Sequence, residues 1–368
     1  MKKERIFLSA PNTGPKEKDF VASSLDSGWV APVGPSINLF EQTLQNYYTG
    51  KSVSALNSGT SALHLALILA GVSDGDRIAV GSFTFAACAN VILYERAIPI
   101  FLDSERTTWN LDPEILEDYL RSANPLPKAV IVTHLYGMPA QIQRIRSVCE
   151  IHGVVLIEDA AESFGSKQDS KLVGGFGHYG IVSFNGNKII TTSSGGALIS
   201  EARDKQRAIH LATQANSAKI GYNHQEAGFN YRMSNILAGL GLAQLERLSE
   251  FISKKRSIFD KYKESLSDTF TFLDEPDGAY SNRWLTTCLL KNEDADVFEL
   301  IQFLDAKNIE SRPLWKPLHL HDAYSASTYI GTGVSEGIFK KGICLPSGTG
   351  LTIEEQQFVI EAIKEWEN

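Results

Sequence analysis

The chain has 368 residues, enough for a large core and two domains. Its formal net charge of −8 argues against a general nucleic-acid-binding protein, which needs a basic surface. The four cysteines lack CxxC spacing, so we expect reduced core residues of a cytoplasmic protein and no metal site. No segment has the ~20 apolar residues of a membrane span, and no apolar run follows the basic start, so we expect a soluble, untargeted protein.

Small hydroxylated residues precede a predicted helix near residue 60. Ser58 fits an N-cap, apolar residues follow at 63, 66, 67 and 70, and Gly71 fits a helix end. A helix that opens with Gly59, Thr60 and Ser61 offers N–H groups, hydroxyls and the positive end of its dipole to a phosphate. The same pattern is also typical of an ordinary N-cap without a ligand.

Strand-like and helix-like runs alternate between about residues 53 and 200, with helix-length segments at 112–122 and 141–152. This alternation predicts a mostly parallel sheet covered by helices. The predicted strands cover residues 78–80, 99–102, 129–133, 154–157, 181–184 and 197–200.

One predicted strand ends in two acids, Glu158 and Asp159. Its continuous apolar run is typical of a buried parallel strand, and ligands of open α/β sheets bind where such strands end. The alternative is that both acids only cap the turn that follows.

A glycine-rich segment at residues 175–180 matches the GxGxxG dinucleotide pattern. It leads into a strand, whereas the dinucleotide motif follows a strand and opens a helix. We therefore discount a nicotinamide-dependent sugar oxidoreductase.

Lys188 lies between two short apolar runs and is flanked by small polar residues. A lysine amine activated by its surroundings attacks carbonyl groups, most commonly as a Schiff base to pyridoxal phosphate. That coenzyme also needs an acid beside its ring nitrogen and a phosphate site, for which Asp159 and the helix start at Ser58 are candidates. Alone, Lys188 also fits a solvated lysine; the three features together indicate a pyridoxal phosphate enzyme.

Residues 235–266 form a strongly helical run, which we expect to leave a large domain and lead to a smaller one. A boundary near residue 250 divides the chain into a large domain, residues 1–250, and a small C-terminal α+β domain, residues 251–368. A strand at 287–290 and helices at 296–307 and 352–367 are predicted for the small domain.

Five motifs, in this order, resemble the sugar aminotransferases of the DegT/DnrJ/EryC1/StrS type, over about residue 20 to the C-terminal helix. They are Asn57-Ser-Gly-Thr-Ser-Ala-Leu63, Glu158-Asp-Ala-Ala-Glu-Ser163, Ser183-Phe-(x)4-Lys188, Gly195-Gly196 and Gly228-Phe-Asn-Tyr-Arg-Met233. The resemblance implies a fold-type I pyridoxal phosphate aminotransferase for keto-sugars carried on nucleotides. Segments 211–215, 310–319 and 344–348 are similar to the branch that installs the 4-amino group of UDP-bacillosamine precursors.

The resemblance assigns coenzyme roles. Lys188 is expected to hold the coenzyme and move the proton, and Asp159 to pair with the ring nitrogen. Phe85 is expected to stack on the ring, and Glu162 stands where many relatives carry Gln or His near its phenolic oxygen. The residues expected at the phosphate are Gly59, Thr60, Ser61, Ser183 and, from the other subunit of a homodimer with shared active sites, Asn230.

Substrate residues are also implied by the resemblance. Trp29, Val30, Ala31 and Pro32 belong to a loop expected to close over the sugar. Residues expected toward the nucleotide-sugar or the amino donor are Asn187, Arg232, Arg312, Trp315 and His319. For Arg312 and Trp315 the alternative is a surface loop before two prolines.

The expected reaction has two half-reactions with ping-pong kinetics and L-glutamate as donor. The expected acceptor is UDP-2-acetamido-2,6-dideoxy-4-hexulose; the alternative is a dTDP- or GDP-linked 3- or 4-keto-6-deoxy sugar. A sugar 3-dehydratase would carry histidine in place of Lys188. A catalytically silent binding or regulatory homologue would have lost Lys188 or Asp159.

Overall fold

The computed structural model describes residues 4–218 and 220–367. Helices α1 to α12 comprise Pro15–Asp26, Pro35–Gln45, Gly59–Leu69, Ala87–Tyr94, Pro113–Ser122, Ile142–His152, Ala202–Ala212, Asn235–Glu246, Leu248–Leu266, Val297–Ala306, Val334–Lys341 and Ile353–Glu367. Strands β1 to β15 comprise Ser52–Leu56, Arg77–Gly81, Ile98–Leu102, Ala129–Thr133, Val155–Asp159, Lys167–Gln168, Lys171–Leu172, Tyr179–Ser183, Gly196–Ser200, Phe270–Phe272, Ala279–Tyr280, Thr286–Leu290, Arg312–Pro313, Thr328–Ile330 and Gly342–Leu345.

An eight-stranded sheet forms the centre of the larger part, in the order β1-β9-β8-β5-β4-β2-β3-β14. The strands from β8 to β14 in this order are mutually parallel, and β9 is antiparallel to both β8 and β1. All six strands predicted from the sequence are present. The mostly parallel α/β architecture of a fold-type I aminotransferase is therefore confirmed.

Helices cover both faces of this sheet, which explains the continuous apolar runs of its strands. Val132 and Leu156 pack into one apolar core, whereas Ile131 and Ile157 pack into the other. Successive side chains of a strand point to opposite faces, so a strand covered on both sides is apolar at every position.

A second, four-stranded sheet in the order β10-β12-β15-β13 is antiparallel throughout. Together with α9, α10 and α12 it surrounds a separate apolar core. The predicted C-terminal strand and helices correspond to β12, α10 and α12. The boundary near residue 250 stays a prediction, and two segments lie across it: Ile6 packs in the smaller core and pairs with Ile309, and β14 joins the large sheet beside β3.

The helical run at residues 235–266 is two helices, α8 and α9, and not the single long helix expected. The break is at Arg247, where φ is −101° and ψ is 0°. The Arg247 guanidinium donates to Glu17 of α1 and also pairs with Glu250. The apolar periodicity continues through this residue, so the sequence pattern alone does not reveal the change of direction.

No helix within the described residues is both long and apolar enough to cross a membrane. The four cysteines, Cys88, Cys149, Cys288 and Cys344, are buried free thiols, as predicted.

Candidate active site

Three strand ends meet at one edge of the large sheet. Because β9 is antiparallel to both β1 and β8, these two strands run in the same direction as β5. Ser58, Asp159 and Ser183 therefore follow or end strands at the same edge. They line a cavity of about 300 Å³ together with Gly59, Thr60, Phe85, Glu162, Asn187, Lys188, Trp284 and Trp315.

Lys188 lies in the loop between β8 and β9, and its amine faces the cavity. Its side chain is 13% exposed, and its Nζ lies 4.1 Å from the centre of the Trp284 ring. The same Nζ is 3.9 Å from Glu162 Oε1. An amine held between a carboxylate and an aromatic face inside a cavity is positioned for covalent chemistry.

Glu162 is 3% exposed and uses both carboxylate oxygens. Oε2 accepts a hydrogen bond from Tyr136 N at 2.6 Å, and Oε1 accepts one from Trp315 Nε1 at 3.2 Å. Burial raises the pKa of Glu162, and the positive charge of Lys188 opposes this shift without reversing it. The ionisation of the Glu162 carboxyl group therefore depends on the charge of the neighbouring Lys188 amine.

Asp159 ends β5 and is 5% exposed. Its Oδ1 accepts a hydrogen bond from Ala161 N at 2.9 Å, and its Oδ2 accepts one from the Cys88 thiol at 3.1 Å. Burial, followed by the negative charge of Asp159, raises the pKa of Cys88, so the thiol keeps its proton and donates it. Asp159 both caps the following turn and faces the cavity, whereas Glu158 accepts hydrogen bonds from the amides of Gly174, Phe176 and Gly177.

The start of α3 and the end of β8 form a phosphate cradle. Ser58 caps α3, because its Oγ accepts a hydrogen bond from Ser61 N at 3.0 Å. The first-turn N–H groups of Gly59 and Thr60 have no carbonyl one turn earlier to bind and so can donate to an anion. A Cβ at Gly196 would lie well under 3.0 Å from Gly59 N, so only glycine allows this close approach.

Ser61, also expected at the phosphate, lies in the helix cap. Its amide donates to Ser58 Oγ, and its Oγ donates to Asn57 Oδ1 at 2.6 Å. Ser61 is 6% exposed and lies outside the cavity lining. Its polar atoms stabilise the cap, which orients the two amides that precede it.

Aromatic rings form one wall of the cavity. Phe85 lines it and is 52% exposed, with its ring centre 5.3 Å from that of Trp315. Trp315 stacks on Tyr136 at 6.1 Å, and Tyr136 stacks on Trp284 at 6.2 Å. The placement of Phe85 agrees with the ring-stacking role expected of it.

A second cavity of about 880 Å³ adjoins the first and shares Asn187, Trp284 and Trp315 with it. Arg312 and Lys316 bring positive charge to its lining. Arg312 is 64% exposed at its side chain and pairs with Glu310. Of the predicted substrate residues, the structure therefore brings Asn187, Arg312 and Trp315 together.

Two predicted substrate residues lie elsewhere. The Arg232 guanidinium forms an ion pair with Glu41 and donates to Ala55 O at 2.8 Å, so it fastens α2 to β1. The His319 ring stacks on Tyr329 at 3.7 Å, and its Nδ1 lies 2.6 Å from Ser82 Oγ. Neither residue lines either cavity. In both cases the sequence showed the residue type but not the partner that satisfies it.

Trp29, Val30, Ala31 and Pro32 lie in the connection between α1 and α2, outside both cavities. Trp29 and Val30 are 48% and 60% exposed. Asn230 is also exposed, and its backbone carbonyl accepts a hydrogen bond from Asn57 Nδ2 at 3.0 Å. Within one chain, these residues do not reach the site.

The residues present fit pyridoxal phosphate. Lys188 can hold its aldehyde carbon, Asp159 its ring nitrogen, and the Gly59–Thr60 amides with Ser183 its phosphate. The close approach of Gly196 to Gly59 supports this fit, because a Cβ at Gly196 would collide with the backbone at the start of α3.

Comparison with known proteins agrees with the site. The sequence model described as the DegT/DnrJ/EryC1/StrS aminotransferase family matches residues 11–364. The chain belongs to this family. It is therefore a pyridoxal phosphate-dependent aminotransferase, as the resemblance implied.

Individual relatives match nearly end to end. EpsN of Bacillus subtilis (strain 168), provisionally named a pyridoxal phosphate-dependent aminotransferase, is 47% identical over 98% of this chain and 95% of its own. GDP-perosamine synthase of Escherichia coli O157:H7 is 36% identical over 98% of both chains. A protein provisionally named a sugar aminotransferase from Streptococcus pneumoniae, solved in its PLP-form, superposes with a TM-score of 0.91 at 26% identity over 98% of both chains.

Sequence reasoning missed two residues of the site. Trp284 lies under the Lys188 amine although 96 positions separate them, and no local pattern marks it. Cys88 was taken for a simple core residue, and its contact with Asp159, 71 positions away, follows only from the tertiary structure.

Proposed function

We propose that this protein transfers the amino group of L-glutamate to the keto carbon of a nucleotide-linked sugar. The observation that carries the proposal is the Lys188 amine, which faces a cavity that also holds Asp159 and the phosphate cradle. A catalytically silent homologue would gain nothing from this combination, because burying the charged groups of Lys188 and Asp159 costs folding free energy.

When bound, pyridoxal phosphate supplies the electron sink for both half-reactions. Lys188 holds the coenzyme and then acts as acid and base, moving a proton to and from the substrate carbon. Asp159 would supply negative charge at the coenzyme's ring nitrogen, and hydrogen bonds from the Cys88 thiol and the Ala161 amide fix the two carboxylate oxygens of Asp159. The start of α3 would bind the phosphate, and the Phe85 ring would cover one face of the coenzyme ring.

The acceptor proposed here is UDP-2-acetamido-2,6-dideoxy-4-hexulose, aminated at C4, because three segments resemble the bacillosamine branch. A GDP-linked keto-sugar is the second candidate, supported by the 36% identity to a GDP-perosamine synthase. The outer cavity supports a nucleotide-linked acceptor of either kind: Trp315 and Phe339 offer aromatic faces, and Arg312 and Lys316 offer cations for a diphosphate.

We also propose a homodimer with shared sites. Asn230 and three residues of the loop, Trp29, Val30 and Pro32, are exposed and lie outside the cavity of their own chain, so they are free to reach the site of a second copy. Ile220 and Tyr222, 96% and 89% exposed, offer apolar contact area in the same segment as Asn230.

The test begins with purified protein and pyridoxal phosphate. A yellow solution whose absorbance shifts on adding L-glutamate supports the transaminase, whereas a colourless protein that takes up no coenzyme contradicts it. Incubation with glutamate and a panel of UDP-, GDP- and dTDP-linked 3- and 4-keto sugars, with the aminated carbon assigned by NMR, then identifies the acceptor. Turnover of GDP-linked sugars alone favours the second candidate, and turnover of 3-keto sugars alone rejects amination at C4.

A further inference from the structure

Lys255 is a fully buried lysine on α9, only 2% exposed. Its Nζ donates to Trp284 O at 2.7 Å, to Ser347 O at 2.9 Å and to Ser9 Oγ at 3.3 Å. Burial lowers the pKa of Lys255 from 10.5 to about 7, and no carboxylate of residues 4–218 and 220–367 forms an ion pair with it. An amine without a counter-charge is costly in a core, whereas methionine would fill a similar volume without that cost.

The shortest of these hydrogen bonds holds Trp284, which is 1% exposed. Lys255 fixes the Trp284 carbonyl, and Asn282 Oδ1 accepts a hydrogen bond from its amide at 2.8 Å. At the other end of the residue, the indole Nε1 donates to Asn187 O at 2.7 Å. The ring is therefore held on both sides, and its face lies 4.1 Å from Lys188 Nζ.

Trp284 is also the first ring of the aromatic stack. It stacks on Tyr136 with an interplanar angle of 13°, and Tyr136 stacks on Trp315 with one of 11°. Trp315 in turn donates to Glu162, the carboxylate beside Lys188. A shift of the Trp284 backbone would therefore move groups on both sides of the reactive amine.

We propose that Lys255 is a positioning residue, which holds the Trp284 carbonyl and thereby sets the indole against the amine of Lys188. It acts from the second layer around the site and touches neither cavity. Its effect is on the rate of the step in which Lys188 moves a proton, because a displacement of about 1 Å at a reacting group costs up to roughly 10²-fold in rate. This role rests on the proposed function only where L-glutamate is used as donor.

The test compares Lys255→Met with Gln356→Met. Gln356 is 7% exposed on α12, and its Nε2 donates to Ile258 O of α9 at 2.8 Å. Lys255→Met removes a buried hydrogen-bond donor on α9, and Gln356→Met removes one that binds α9. Only the first substitution removes a contact to Trp284. Thermal unfolding of both variants measures the structural cost that they share.

The first measurement uses coenzyme-free protein with 15N-labelled tryptophan. The chain has five tryptophans, and Trp284→Phe identifies the Trp284 indole signal. We expect Lys255→Met to shift this signal and to speed its hydrogen exchange, because the indole loses its fixed position against Asn187. Gln356→Met should leave the signal at its wild-type position.

The second measurement follows the coenzyme absorbance after adding L-glutamate. In Lys255→Met the limiting rate constant should fall roughly ten- to hundredfold. The glutamate concentration that gives half of the variant's own limiting rate constant should differ from the wild-type value by less than about twofold, because no glutamate contact is lost. Gln356→Met should retain the wild-type rate constant.

An unshifted Trp284 signal in Lys255→Met, or equal rate losses in both variants, would overturn the proposal. If Lys255→Met does not fold, Lys255→Gln, which keeps a shorter donor, replaces it under the same criteria. If wild-type protein does not react with L-glutamate, the proposed donor fails. The indole signal and the rate of borohydride-trapped coenzyme attachment to Lys188 then still decide the role of Lys255.

Discussion

The carboxyl group of Glu162 lies 3.9 Å from the amine of Lys188, and both side chains are almost fully enclosed. This separation is beyond direct hydrogen-bond distance but close enough for strong electrostatic coupling between two side chains with so little solvent exposure. Two further donors, Tyr136 N and Trp315 Nε1, hold the carboxyl group in place. The charge on Glu162 and the state of Lys188 are therefore linked.

Glu162→Gln should make the coenzyme-free protein at least as stable as wild type at pH 8. Burial raises the pKa of Glu162, so the folded state binds this proton more tightly than the unfolded chain. A raised carboxyl pKa contributes stability that is complete below the unfolded pKa and is lost as pH rises through the folded pKa. The advantage of glutamine should therefore disappear below about pH 4.

Urea unfolding of both proteins at pH 8 and pH 4 measures this difference. Gln143→Ala, which changes an exposed contact to Asp169, serves as control and should show no such pH dependence. A Glu162→Gln variant that is clearly less stable at pH 8 would show that the charge pair with Lys188 outweighs the burial of the carboxylate.

Lys188→Arg should fold, because the guanidinium keeps the positive charge beside Glu162, but it should not form a covalent bond to the coenzyme. Its transamination rate should fall by at least roughly 10²-fold, the lower limit for a positioned proton-transfer group. Borohydride reduction followed by peptide mapping should label wild-type Lys188 and nothing in the variant. A label at another lysine in wild-type protein would contradict the assigned role.

The central sheet was predictable from the sequence because each strand is specified by residues that are neighbours in the chain. Strands buried on both faces are apolar at every position, and the Ser58 cap needs only four consecutive residues. Asp159 was also predictable, because it ends β5 and the direction of this strand brings it to the binding edge of the sheet. Lys188 needed the resemblance as well as its local pattern.

The features that local sequence does not reveal depend on partners that are distant in the chain. Arg232 and His319 carry the chemistry of a binding site, but Glu41 and Ser82 already satisfy them, at separations of 191 and 237 positions. Trp284 was missed for the same reason, since only packing brings it to Lys188. The break at Arg247 depends on Glu17, which lies 230 positions away. The periodic pattern of a short segment carries no information about such distant partners.

Gly196→Ala should weaken coenzyme binding. The added Cβ would lie well under 3.0 Å from Gly59 N and would push the start of α3 away from the phosphate. Loss of one charge-assisted hydrogen bond corresponds to a roughly ten- to hundredfold higher dissociation constant for pyridoxal phosphate. Gly186→Ala is the matched control, because a Cβ there meets nothing within 4 Å, and its dissociation constant should stay at the wild-type value. Fluorescence titration measures both, and equal values for the two variants would argue against the phosphate cradle.

Asp103 lines neither cavity, and Asp103→Ala should destabilise the fold at neutral pH. The buried carboxylate accepts hydrogen bonds from the amides of Ser104, Thr332, Val334 and Ser335, and so fastens the start of α11 to the end of β3. Burial alone would raise the pKa of Asp103, but the hydrogen bonds from Ser335, Ser104 and Val334 outweigh it and lower the pKa from 3.8 to about 2.

A lowered carboxyl pKa contributes stability that is complete above the unfolded pKa and is lost as pH falls through the folded pKa. The charged form of Asp103 should therefore contribute roughly 1–2 kcal/mol above about pH 4, after allowance for solvent screening, and this contribution should vanish near pH 2. Urea unfolding of Asp103→Ala and wild type at pH 7 and near pH 2 tests this expected pH dependence. Asp112→Asn, which alters an N-cap with a single amide contact, should cost less at pH 7. If the difference between Asp103→Ala and wild type at pH 7 persisted unchanged near pH 2, the stabilisation would come from packing, and the ionised carboxylate would not be its source.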